Sequence, residues 1–164
     1  MFYLGIDVSK GTLDCALLDA AKNKIKTKVV TNNAEGFGDL QIWLKKQKAE
    51  APHVVMEPTG VYHEPAAFFL ADAGLTISFV NPAQIRSFAQ GIGVKTKTDK
   101  KDSEVLARFG YTQKPDAWVP PPASADTASS SRPSRSTSPA ARNRPPVNPS
   151  RTVVRPTRSA PVLP

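Results

Sequence analysis

At 164 residues the chain has room for one ordinary domain with its own core and not for two substantial ones. Its formal charge of +8 favours an acidic partner, yet Met1 to Trp118 carries 15 basic and 13 acidic residues against seven and one beyond, so most of the positive charge is in the tail. A single cysteine, Cys15, excludes an internal disulfide and suits a reducing cytoplasm, and no apolar run approaches the roughly 18 residues that cross a bilayer, so the expectation is a soluble, unexported, cytoplasmic protein.

Phe2, Leu4, Ile6 and Val8 alternate along one face of a first strand, leaving Gly5 and Asp7 on the other. A turn around Lys10-Gly11 leads to a second strand through Leu13, Cys15 and Leu17, in which Cys15 reads as a small core residue. Ile25, Thr27 and Val29 alternate with Lys24, Lys26 and Lys28 in a third, where the lysines suit an edge position. These strands form an antiparallel meander. Phe37, Leu40, Trp43, Leu44 and Gln47 follow helical spacing, and a short apolar strand from His53 to Met56 comes next with no room for a hairpin return, which implies a parallel crossover. Pro65 fits the first turn of a second helix that ends at Gly74, Leu75 to Val80 gives another strand, and Asn81-Pro82 caps a third helix ending near Gly91. A last helix runs from about Asp99 to Tyr111. The order βββαβαβα with that final helix predicts an α/β, ribonuclease-H-like mixed five-stranded sheet flanked by helices, over residues 1–118.

Beyond Trp118 the chain has no aromatic residue and holds 11 of its 16 prolines, so residues 119–164 read as a disordered Pro/Ser/Arg-rich tail that cannot build a core. Two origins are open: a GC-rich frame translated out of register, or a natural arginine-rich arm for nucleic acid.

Four acids stand out as candidate metal ligands and catalytic groups: Asp7, Glu57, Asp99 and Asp102. Asp7 interrupts an otherwise apolar strand, where a carboxylate costs several kcal/mol unless paired, hydrogen-bonded or metal-bound, with Lys10 as the simplest pairing alternative. Glu57 closes its strand at the carboxyl end, where ligands collect in open α/β sheets, although a solvated loop glutamate is the plain alternative. Asp99 and Asp102 could be an N-cap and a capping partner, but Asp102, Val105, Leu106 and Phe109 fall on one helical stripe, which turns Asp102 toward the sheet. Magnesium or manganese would take such oxygen ligands, and two ions about 4 Å apart can serve in-line phosphoryl displacement. Lys10, Lys95, Lys97, Lys100 and Lys101 would then hold a nucleic-acid backbone by phosphate contacts, the alternative being a solvated charge run. His53, His63 and Cys15 lack zinc-ligand spacing, and Gly91-Ile92-Gly93 is too sparse for a nucleotide loop.

Taken together, Gly5-Ile6-Asp7-Val8-Ser9-Lys10, Met56-Glu57-Pro58-Thr59-Gly60, Asn81-Pro82 and Lys97-Thr98-Asp99-Lys100-Lys101-Asp102 with Glu104-Val105-Leu106-Ala107-Arg108-Phe109 resemble the DEDD-type insertion-sequence transposases, in order and across nearly all of Met1 to Trp118. The resemblance implies a RuvC-like, Holliday-junction-resolvase-like domain in which Asp7, Glu57, Asp99 and Asp102 bind magnesium. It further implies DNA as substrate, a structured guide RNA from the element, a homo-oligomer, and a helical connector leading to a serine-bearing transposase domain. Nothing after Trp118 resembles those last parts, so the expected function is a metal-dependent DNA recombination enzyme reduced to its acidic half. A non-catalytic nucleic-acid-binding or subunit-interacting remnant is the alternative. An actin-like kinase or ATPase shares the style of first strand but needs a second lobe and glycine turns that are not visible.

Overall fold

Strand β1 (Phe2–Val8) is the axis of the molecule, because it is buried from both sides and pairs with a neighbour along each edge. The computed structural model describes residues 1–94 and 98–122, with the side chains of Asp99 and Lys100 outside that description. On one edge β1 pairs antiparallel with β2 (Thr12–Asp19), which in turn pairs antiparallel with β3 (Lys24–Thr31). On the other edge it pairs parallel with β4 (His53–Met56), followed by parallel β5 (Ile77–Phe79), so the sheet order is β3-β2-β1-β4-β5. The meander, the crossover and the edge position of the lysine-bearing third strand all agree with the sequence reading.

Helices cover both faces, as a sheet containing parallel strands requires. On one face Leu4, Ile6 and Val8 meet Phe37, Leu40 and Leu44 of α1 (Ala34–Lys46) and Ala66, Ala67 and Leu70 of α2 (Glu64–Asp72). On the other face Val55 meets Ile85 of α3 (Pro82–Gly91) and Val105, Leu106 and Phe109 of α4 (Asp99–Gln113), while Tyr3, Ala16 and Leu18 meet Ala107. Phe88 of α3 closes edge-on against Phe109 of α4 with ring centroids 5.4 Å apart.

Gly5 sets how near α4 can come. A Cβ at that position would lie 2.0 Å from the Ser103 carbonyl oxygen and 2.5 Å from the Ala107 amide nitrogen, so the helix backbone rests directly on the strand. Gly110, two turns further along, would likewise drive a Cβ into Val55. The helix is therefore laid along β1 by two missing side chains, and this contact fixes where its first turn falls.

Two boundaries and one buried face differ from the sequence-based expectation. The N-cap of α4 is Thr98, whose hydroxyl accepts from the Lys101 amide at 3.3 Å, and Asp99 is the first helical residue rather than the cap. Strand β5 is shorter than Leu75 to Val80, because the Leu75 amide is committed to the Leu70 carbonyl at the end of α2. In β3 the buried side chain is Val30, opposite Leu13, whereas Val29 is exposed.

After α4 the chain crosses the open edge of β5. The Trp118 amide donates to the Ile77 carbonyl at 2.6 Å, and the Trp118 ring packs edge-on against Phe68 and Phe79. Ser78, fully buried, lies within hydrogen-bond reach of the Pro115 and Asp116 carbonyls and of His53 Nε2. With a single proton Ser78 can satisfy one carbonyl at a time, which leaves the His53 ring as donor to its oxygen. No helix among the described residues is long and apolar enough to cross a membrane.

Candidate metal centre

Pairing register decides which acids meet. Ile6 lies opposite Met56 in the parallel pair, so Asp7 and Glu57, each one residue further on, leave neighbouring strands side by side. Both fall on the face of Gly5 and Val55, which is the face that α4 covers. Because Ser103 is pressed onto Gly5, Asp102 in the first turn of α4 arrives at the same end of the sheet as Asp7. Asp7, Glu57 and Asp102 accordingly line one cavity of about 280 Å³, each half-buried. Asp102 sits on the sheet-facing stripe of α4 with buried Val105, Leu106 and Phe109, as its spacing predicts.

The other expected residues divide. Asp99 opens α4, but its side chain lies outside the described residues, as does that of Lys100. Lys95 and Lys97 lie outside the described residues altogether. Lys10 is exposed in the turn after β1, and Lys101 is exposed on α4. Asp7 and Asp102 both have polar partners in the folded chain.

Three residues at the site were not singled out by their sequence. Asp14 lies directly across from Asp7 in the β1–β2 register, on the same face, which places a further carboxylate next to the centre. The signal was present: if Leu13, Cys15 and Leu17 point to the core, Asp14 must point the other way, with Asp7. Asn32 is the second. Its Nδ2 donates to the Ser9 carbonyl and to the Tyr62 carbonyl, both at 2.9 Å, so one amide ties the turn after Asp7 to the loop after Glu57. The third is Arg86, which with Gln90 forms part of the cavity wall supplied by α3. Asn81 starts that helix, its side chain accepting from the Ala83 amide at 2.8 Å.

The donor set fits a hard divalent ion in kind, since all three acids on the cavity present carboxylate oxygens. Among the described residues, however, no three His, Cys, Asp or Glu side chains are drawn together closely enough to hold an ion by themselves. Magnesium does not demand such a cage: it is commonly held by one or two carboxylates, with waters and substrate phosphate oxygens filling the remaining positions.

Known proteins resemble the chain in sequence and in fold. Two pilin gene-inverting proteins match over 120 residues, that of Moraxella bovis at 36% identity and that of Moraxella lacunata at 35%, each match covering 72% of this chain and 37% of the relative. The chain thus spans little more than a third of the length of these curated relatives. In structure it is similar to the Thermus thermophilus RuvC solved in complex with a Holliday junction substrate, at a TM-score of 0.50 and 16% identity, covering 71% of this chain and 98% of that one. That likeness is one of fold, and the expected RuvC-like architecture is present. The transposase family model of the IS110 DEDD type matches residues 4–129, and with the acids of two strands and a helix set around one cavity, the chain belongs to that transposase family.

Proposed function

We propose that this chain provides the metal-dependent DNA-cutting step of a recombination reaction, with Asp7, Glu57, Asp99 and Asp102 as its metal ligands. The observation that carries the reading is the convergence of Asp7, Glu57 and Asp102, from two strands and a helix, on one cavity. Membership of a transposase family and the relatives' name as gene-inverting proteins support DNA as the substrate. Bound magnesium or manganese would polarise the scissile phosphate and activate an attacking oxygen. Asp7 and Glu57, fixed by adjacent strands, would hold their oxygens in place without reorganisation, and Asp102 would complete the ligand set from the helix side. Lys10 and Lys101, with Lys95, Lys97 and Lys100, would neutralise flanking phosphates and carry no sequence information.

The resemblance to DEDD transposases adds a guide RNA, a homo-oligomer and a separate serine-bearing domain for strand exchange. In this reading the acids of residues 1–118 serve the cutting step. A second reading, a binding remnant without chemistry, draws on the wide spacing of the described acids.

The two are separated by incubating the full chain with a four-way DNA junction in magnesium or in EDTA, beside Asp7→Asn. Magnesium-dependent nicking that Asp7→Asn abolishes while still binding the junction supports cutting. Binding by both forms with no nicking by either would leave only the remnant.

A further inference from the structure

The cavity has two unlike walls, and the acids account for one of them. The other is the stripe of α3 that carries Ile85, Ala89, Arg86 and Gln90, with Leu106 of α4 completing an apolar floor. Apolar surface contributes nothing to holding a hard ion, whose ligands are oxygens. The volume of about 280 Å³ is also large for ions with a few waters, since one water takes about 30 Å³, and it lies just below the range of about 300 to 1,000 Å³ typical of small-molecule sites. A single nucleotide is of that scale and a duplex is not. Arg86 is exposed and has no ion-pair partner among the described residues, although carboxylates line the same cavity. A guanidinium held near acids without pairing to them remains available to an anion, and its planar fork suits two phosphate oxygens.

We propose that this wall is a seat for one unpaired nucleotide next to the phosphate being cut, with Arg86 gripping that nucleotide's phosphate, the base or sugar lying over Ile85, Ala89 and Leu106, and the Gln90 amide reaching a base edge. The inference rests on the cutting function proposed above. Charge complementarity selects the occupant: carboxylates that would hold a cation on one side, guanidinium suited to phosphate on the other, and apolar surface between. A base enters such a seat only out of its stack, which favours a strand already unpaired at a junction.

The test is binding of a short single-stranded oligothymidine, and of the same backbone made abasic, by the full chain in calcium so that nothing is cut. Arg86→Ala is expected to weaken oligothymidine binding about tenfold and to flatten the dependence of log K on log salt by about 0.7, one phosphate contact on a single strand. Arg86→Lys should restore the salt slope but not the full affinity. Lys45→Ala on the opposite face, a change of equal charge, should alter neither as much. Ala89→Phe, which fills the floor, should weaken binding of oligothymidine and leave the abasic strand unaffected. Unchanged affinity and slope in Arg86→Ala, or equal wild-type binding of abasic and base-bearing strands, overturns the seat. If wild-type nicking in magnesium persists alongside such a result, only the seat is lost; absence of nicking removes the function on which it rests.

Discussion

Gly5 is the point at which a single side chain governs the site, because the α4 backbone occupies the space a Cβ would need. Gly5→Ala should cost about 3 kcal/mol, at the upper end of what an overpacked core position usually loses, as the clash is with backbone and not with a flexible side-chain end. Its urea midpoint should fall accordingly, and junction nicking by the fraction that remains folded should fall with it as Asp102 is pushed from Asp7. Burial in the core, reinforced by the neighbouring Asp14 carboxylate and only partly offset by Lys28, pushes the Cys15 thiol well above its ordinary range. The native thiol should therefore resist alkylation by iodoacetamide at neutral pH and react fully once the chain is unfolded in urea. His53 shifts the other way: burial lowers its affinity for a proton from the ordinary value of 6.5. The unfolded chain then binds more protons below 6.5, so stability is complete above that pH and declines as pH falls through it toward the lower folded value. Thermal melts across this range should show the decline in the native protein and a flatter profile in His53→Gln, which retains a donor toward Ser78.

At the scale of elements, α3 matters more than its length suggests, since it carries the wall opposite the acids. Asn81→Ala removes the bond to the Ala83 amide and should cost about 1 kcal/mol, read as a shift in urea midpoint, and should loosen the α3 wall while Asp7 and Glu57 stay in place. Elements were the most legible level of the sequence. The four residues His53–Met56, the Asn81-Pro82 start of α3 and the parallel crossover each followed from a strong local signal: an apolar run too near a helix for a hairpin, a cap followed by proline, and a missing return turn. The start of α4 was not legible to the residue, because Thr98 and Asp99 are both good caps and only the fold decides which backbone leaves the helix. The extent of β5 was obscured for a related reason: Leu75 suits a strand by type but closes α2 by hydrogen bond. Asp7, Glu57 and Asp102 were legible in the sequence and Asp14 was implied by the alternation of its strand, whereas Asn32 and Arg86 became site residues only when packing brought them there.

In the molecule as a whole one relation makes the site: a central strand that carries Asp7 near its carboxyl end, a parallel neighbour directly followed by Glu57, and a helix seated on Gly5 that delivers Asp102 to the same cavity. A divalent ion held between these carboxylates would bind the folded chain and not the unfolded one, so it should stabilise the fold, raising the melting temperature with ion concentration in the native chain and far less in Asp7→Asn. The most direct measurement is a manganese titration followed by NMR on the full chain, in which the paramagnetic ion broadens only the resonances near it. Broadening should begin at Asp7, Glu57 and Asp102 together and disappear from all three in Asp7→Asn. Broadening that begins elsewhere, or that survives unchanged in Asp7→Asn, would contradict this.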